Sequence, residues 1–252
     1  MGLAFLEASR MKIINFVAMK NILLASTSTL FGGKYLDYLS EEIIGLFKDV
    51  PEVIFIPYAR PSGITHDDYT AKAAAFFATV GIELKGLHHF ENPTEAIRKA
   101  SGFFTGGGNT FLLVKTLWEL QLMQELKVAV EKGAPYLGTS AGSNIGGINM
   151  KTTNDMPIVY PPSFDCMGLV PFNINPHYLD PDPTLKHNGE TRETRIVEFH
   201  TQNNIPVIGL REGNWIRVQN DRISTEGTQL TRIFEQGKTP YELEPGSALN
   251  FN

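Results

Sequence analysis

The sequence predicts an α/β protein with a mostly parallel sheet flanked by helices. Two observations carry this. Between Ile22 and Ser140, short apolar runs that read as buried strands alternate with stretches of helical spacing, the pattern of a parallel sheet covered on both faces. Two glycine-rich turns, Gly106–Asn109 and Gly138–Gly142, each follow an apolar run and open helical sequence, and ligands of such sheets gather at the carboxyl ends of the strands. Composition agrees. A chain of 252 residues with 42% hydrophobic and 19% charged residues is globular and long enough for a sizeable core.

In chain order, Ile22–Ala25 is an apolar strand ending in a Ser/Thr cluster, and Leu36–Phe47 has helical spacing. Val53–Pro57 reads as a second buried strand, followed by a polar turn and a helix from about Asp67 to Val80. Ile82–Leu87 gives a third strand and Pro93–Lys99 a short helix. Gly102–Thr105 leads into the first glycine turn, and a long helical pattern runs from Thr110 to Lys132. The run Ala134–Leu137 is the strand that delivers the second glycine turn. Beyond Met150 the texture shifts to proline and loops, with antiparallel-looking strands at 207–210, 215–219 and 230–234. Glu190–Arg195 reads as a helix surface.

A net charge of -5 with no basic stripe argues against a nucleic-acid partner. No apolar stretch approaches the ~20 residues of a membrane span. The single cysteine, Cys166, allows no intrachain disulfide and fits a reducing, cytoplasmic setting; no small-residue turn surrounds it, so it reads as a packed bystander. Residues 1–18 contain apolar runs interrupted by Arg10 and Lys12, unlike a secretory signal. They read as a peripheral extension, leaving 19–252 as a single α/β domain.

The chemistry centres on Gly138-Thr139-Ser140-Ala141-Gly142. A G-x-S-x-G pentapeptide closing a strand lifts a serine onto a sharp strand-to-helix turn, with the next amide free to face an oxyanion. Glycines flank it because the turn is too tight for side chains. Gly106–Thr110 has three readings: a phosphate loop at a helix N-terminus, a tight connection, or a second source of oxyanion amides. It lacks the full G-x-G-x-x-G and no Walker lysine follows.

A base must come from six histidines. His177 sits in a proline-fixed turn after an apolar stretch. His88 and His89 follow a strand with no residue type nearby to orient them, and His187 lies in a charged loop. No H-x-x-x-H or H-E-x-x-H spacing exists, so a zinc site is not expected. Two acids compete to orient the base, Asp155 and Glu212.

Six motifs then occur in order: GGGNTF (106–111), G-x-SAG around Ser140, TTNDMPIV (152–159), INPH (174–177), GETR (189–192) and EGNW (212–215). Together, from about Met19 to the C-terminus, they resemble the peptidase E family of α-aspartyl dipeptidases. The resemblance implies a cytosolic serine exopeptidase that hydrolyses dipeptides with an N-terminal aspartate. It also implies a variant of the class I glutamine amidotransferase-like (flavodoxin-like) three-layer fold, with serine where those enzymes use cysteine. Ser140 is then the nucleophile and His177 the base. Glu212 is the favoured partner of His177, while Asp155 stays a catalytic candidate that organises the pocket or meets the substrate ammonium. Arg192 is expected to hold the aspartyl carboxylate, and the amides of Ala141 and of Gly107 or Gly108 to meet the oxyanion. No metal or organic cofactor is implied. The partner is a small peptide, with no nucleic acid or membrane, and a homo-oligomer is left open. GTSAG is also similar to cyanophycinases, which makes a β-aspartyl (isoaspartyl) peptidase the runner-up; a non-catalytic small-molecule binding protein on the same fold is the reading from another class.

Overall fold

The computed structural model describes residues 19–181, 184 and 189–251; the extension read at 1–18 and the loop histidine His187 lie outside these. Strands β1 (Asn21–Ala25), β2 (Glu52–Ile56), β3 (Glu83–Gly86), β4 (Phe103–Thr105) and β5 (Tyr136–Thr139) form the parallel part of a seven-stranded sheet in the order β3-β2-β4-β5-β1. The sheet is finished by β8 (Asn214–Gln219), antiparallel to β1, and β9 (Arg222–Gly227).

Alternation along these strands makes the three layers. Leu23, Val53, Phe55, Phe104 and Leu137 pack on one face with Ile43 and Leu46 of α1 (Ser40–Leu46) and Ala73 and Phe77 of α2 (His66–Thr79). Their neighbours Ile22, Leu24, Ile54, Phe103 and Tyr136 point the other way. There they meet α3 (Pro93–Lys99), α4 (Thr110–Glu119), α5 (Met123–Glu131) and α6 (Ala141–Asn144) through Ile97, Leu113, Leu117, Leu126 and Ala141. A period of two in the strands therefore sorts side chains to two cores. This is the expected flavodoxin-like sandwich.

The long helical pattern from Thr110 to Lys132 is broken into α4 and α5. Gln121 takes a left-handed conformation (φ 58°). Its amide bonds to Trp118 O at 3.0 Å and the Leu122 amide to Leu117 O at 2.8 Å, a Schellman termination sealed by the buried pair Leu117 and Leu122. No glycine or proline announces it.

In the second half, the strands read as antiparallel-looking at 207–210, 215–219 and 230–234 each have an antiparallel partner. A four-stranded sheet runs β11 (Tyr241–Leu243)-β10 (Thr231–Phe234)-β7 (Val207–Leu210)-β6 (Asn173–Pro176). The sheet also holds β6, a strand the sequence does not announce, parallel to β7, because α7 (Arg192–Phe199) lies between them in sequence and provides the crossover that parallel neighbours need. In register, Pro176 stands opposite Leu210, so the residues that follow the two strands emerge side by side.

Candidate active site

The site lies where the carboxyl ends of β1, β4 and β5 meet those of β6 and β7. Ser140 follows β5 with φ 54° and ψ -110°, a conformation that is strained for a residue with a side chain. Its amide bonds to Ala25 O on β1 at 3.1 Å. The flanking glycines allow the turn to close: a Cβ on Gly138 would lie 2.5 Å from Gly142 O, and one on Gly142 would run into the Thr105 carbonyl. The Tyr136 hydroxyl donates to Gly142 O at 2.7 Å and fixes the turn from below.

His177 follows β6 and is also left-handed, with φ 53°. Its amide donates to Ser26 Oγ at 2.8 Å, and Ser26 in turn donates to Leu210 O at 2.7 Å. A buried hydroxyl thus links β1, the histidine turn and β7. Nε2 of His177 is 2.9 Å from Ser140 Oγ, and Nδ1 is 2.6 Å from Glu212 Oε1. The imidazole therefore bridges a hydroxyl and a carboxylate. The Glu212 side chain is 42% exposed, so this chain of contacts opens directly to solvent.

Neighbouring residues hold the two loops. Arg211 grips Asp180 through bonds of 2.7 and 2.9 Å and Glu242 through bonds of 2.9 and 3.0 Å, and it lies 5.4 Å from the Tyr178 ring centroid. Its pKa is raised, first by Glu242. Gln229 Nε2 donates to Glu212 O at 2.5 Å. Asn154 Nδ2 donates to Pro176 O at 2.8 Å, and Asn175 Nδ2 to Asn154 Oδ1 at 3.0 Å. No motif in the sequence marks Ser26, Arg211 or Asp180 as supports, and Asn154 lies within TTNDMPIV with nothing to set it apart; Ser26 lies in the Ser/Thr cluster that ends β1.

Gly107 comes beside the serine: a Cβ on it would lie 3.1 Å from Ser140 Cβ and 3.6 Å from Ser140 Oγ. Gly108 has φ +147° and lies so close to Ala59 O that a Cβ has no room. Asn109 N bonds to Ala59 O at 2.7 Å. Among the described residues, no backbone acceptor outside regular helix and strand pairing takes the amides of Gly107, Gly108 or Ala141, and Ala141 opens a helix, where the N–H has no partner within the helix.

Asp155 and Arg192 flank this centre without touching the imidazole. Asp155 Oδ2 accepts the Thr110 amide at 2.7 Å and the Thr153 hydroxyl at 3.1 Å, so its carboxylate sits at the N-terminus of α4, favourable for an anion. Arg192 Nη1 makes one long bond, 3.4 Å, to Pro176 O. Among the described residues no carboxylate lies within ion-pair distance of it. Burial lowers its pKa, with Arg195 acting the same way, while Glu212 and Asp155 pull it up. A cavity of about 150 Å³ beside it is lined by Lys151, Asn154, Asn175 and Arg195 among others, and by no acid. Cys166 packs at the core margin, with its thiol pKa raised by burial.

A strained serine on a strand-to-helix turn, a histidine on its hydroxyl and a carboxylate on the far nitrogen can together deprotonate and deliver an alkoxide. Comparison with known proteins agrees with that chemistry. The model of Peptidase family S51 matches residues 22–226. A Streptomyces coelicolor protein named "Peptidase E" is 46% identical over 230 residues, covering 91% of this chain and 93% of its own. A Drosophila melanogaster protein named "Probable alpha-aspartyl dipeptidase" is 42% identical over 235 residues, covering 92% and 97%. The crystal structure of a peptidase from an acI-B1 Actinobacterium superposes with a TM-score of 0.71 at 19% identity, covering 93% of this chain and 98% of that one, a likeness of fold. The chain belongs to peptidase family S51.

Proposed function

We propose that this protein is a serine dipeptidase that hydrolyses dipeptides with an N-terminal aspartate through an acyl-enzyme, with Ser140, His177 and Glu212 as its triad. The observation that carries the triad is the unbroken contact chain from Ser140 Oγ through the imidazole to Glu212, at 2.9 and 2.6 Å.

In this mechanism His177 Nε2 takes the Ser140 proton as Oγ attacks the aspartyl carbonyl. Glu212 holds the ring by Nδ1 and stabilises the imidazolium. The tetrahedral oxyanion is met by the Ala141 amide and by one from Gly107 or Gly108, donors already free of backbone acceptors. The C–N bond breaks as His177 hands its proton to the leaving amine, and water activated by the same imidazole releases aspartate.

Specificity on this reading comes from Arg192. Its guanidinium has no carboxylate partner among the described residues and borders an acid-free cavity. A planar fork suits bidentate capture of the substrate's aspartyl carboxylate. Asp155 steadies the glycine turn through the Thr110 amide, and its carboxylate is available to the substrate ammonium. Residues 19–252 act as one unit, because the serine and glycine turns come from the large sheet and the histidine and glutamate from the small one. No helix among the described residues is long and apolar enough to cross a membrane, and the single cysteine favours a reducing, cytoplasmic setting.

The test is turnover of α-Asp-Leu against β-Asp-Leu and β-Asp-Arg by wild type and Ser140→Ala. The α-linked substrate is expected to be preferred, and the variant to lose about five to six orders of magnitude in kcat. Preference for a β-linked substrate, or full activity in Ser140→Ala, would overturn the reading.

A further inference from the structure

Away from the serine turn, the start of α2 and the turn after β3 bring three metal-ligand side chains together. Asp67 lies in the first turn of α2, and His88 and His89 lie in the single 3-10 turn Leu87–His89. The Nε2 atoms of His88 and His89 are 2.9 and 2.7 Å from the same oxygen, Asp67 Oδ1. The imidazole centroids are 4.0 Å apart, and all three ligand atoms fall within 4.8 Å of one another. Among the described residues, no other three His, Cys, Asp or Glu side chains converge in this way. The two histidines are therefore oriented after all, by an aspartate 21 residues before His88.

Hydrogen bonding alone leaves this cluster incomplete. A neutral imidazole has one donor and one acceptor nitrogen. If His88 Nε2–H donates to Asp67, its Nδ1 is an acceptor, yet Nδ1 is buried with no partner, and so is Thr70 Oγ1. Both atoms flank Gly86: a Cβ there would lie 2.7 Å from His88 Nδ1 and 2.8 Å from Thr70 Oγ1. A cation between these groups changes the account: Nε2 gives its lone pair to the metal in place of a hydrogen bond to Asp67, and Nδ1–H becomes a donor on the Thr70 side, the outer-shell arrangement usual for a metal-bound histidine.

We propose that Asp67, His88 and His89 form a binding site for one zinc-class divalent cation, with solvent completing its coordination. Two imidazoles and one carboxylate suit zinc or cobalt(II), whereas calcium and magnesium want oxygen ligands. Bonds of about 2.0–2.1 Å in a tetrahedral site set ligand atoms roughly 3.4 Å apart. The two spacings to Asp67 Oδ1, 2.9 and 2.7 Å, are shorter than this, and Asp67, whose side chain is 76% exposed, has room to swing outward. The cation would brace the helix whose Tyr69 hydroxyl donates to Gly107 O at 3.2 Å, behind the glycine turn.

The experiment is titration of the full chain with cobalt(II), read by its visible d–d bands, and with zinc by calorimetry. Wild type is expected to saturate at one equivalent. Asp67→Asn and His89→Ala, both on exposed side chains, should weaken binding at least about 10-fold, and Thr70→Val by a smaller factor in that direction. Ser140→Ala and His177→Ala should bind like wild type. Unchanged binding in Asp67→Asn and His89→Ala, or loss of binding in His177→Ala, would overturn the assignment.

Discussion

The Ser26 hydroxyl accepts the backbone N–H of His177 at 2.8 Å and donates to Leu210 O at 2.7 Å. His177 has φ 53°, a conformation costing of order 1 kcal/mol or more for a non-glycine residue. One buried side chain therefore holds the histidine in its strained turn and spaces it from the strand that leads to Glu212. Ser26→Ala removes the acceptor and leaves a buried amide unpaired, at a cost of about 1–3 kcal/mol. If His177 is the base proposed for Ser140, the imidazole has to stay aligned with it, and kcat on Asp-Leu should fall about 10- to 100-fold, with KM changed much less. A purely structural role would lower the melting temperature and leave kcat per folded molecule intact.

The serine turn depends on Gly142 in a different way. Its missing Cβ is occupied by the Thr105 carbonyl, a backbone atom in the central strand β4 that has nowhere to go. Gly142→Ala should destabilise the protein by more than about 3 kcal/mol, at the severe end of single substitutions. Gly237, with φ +74° and open space around it, is the control: Gly237→Ala carries only the conformational penalty of about 1 kcal/mol. Thermal or urea denaturation of the two variants separates steric conflict from backbone preference.

The parallel half of the molecule is legible because its strands are short, apolar and bounded by glycine or Ser/Thr turns, so that Val53–Pro57 and Gly102–Thr105 announce themselves. Pro93–Lys99 is found to the residue because Asn92 caps it and proline opens it. Gln121 escapes notice because a left-handed glutamine has no compositional signature; only tertiary burial of Leu117 and Leu122 selects it. Strand β6 is hidden for the opposite reason: Asn173 and Asn175 are buried polar residues whose Nδ2 groups donate to Asn149 Oδ1 and Thr152 O, bonds invisible along the chain. The serine and histidine turns could be picked out from their motifs. The Ser26 and Arg211 supports could not, since their partners lie across the fold.

The bridge between Arg211 and Asp180 ties the histidine loop to the glutamate turn and gives stability a dependence on acid. Arg211 holds the Asp180 carboxyl below its ordinary pKa of 3.8. Between the depressed folded value and 3.8 the unfolded chain binds more protons, so stability rises with pH there. The contribution is fully present above about pH 4 to 5 and fades as pH falls through the folded value. Asp180 is largely exposed, so the effect should be about 1 kcal/mol or less. Melting curves should show Asp180→Asn less stable than wild type at pH 7, with the gap closing toward pH 3; a gap independent of pH would contradict this account.

Arg192 tests how substrate is chosen. Its guanidinium is half-buried, makes one long bond to Pro176 O, and is held by no ion pair among the described residues. Arg192→Ala should cost kcat/KM on Asp-Leu about 10- to 100-fold, the scale of a lost charge-assisted contact. Arg192→Lys keeps the charge but not the fork, and should recover only a minor part. Asn-Leu, which lacks the carboxylate, should be nearly insensitive to both changes. Equal losses on the two substrates would place Arg192 in structural support.

The two acids can be separated by their neighbours. Glu212 Oε1 is 2.6 Å from His177 Nδ1, so Glu212→Gln leaves the size of the side chain but removes the charge that stabilises an imidazolium and fixes its tautomer. By analogy with triads of the same logic, kcat should drop about 10⁴-fold with the melting temperature little changed. Asp155 faces the Thr110 amide and the Thr153 hydroxyl, so Asp155→Asn weakens an anion at a helix N-terminus, worth about 0.3–1 kcal/mol. Its first effect should be on stability, through the glycine turn, and on KM, through the proposed contact with the substrate ammonium. If Asp155→Asn instead lost kcat as steeply as Glu212→Gln while substrate affinity held, the roles given to the two carboxylates would have to be exchanged.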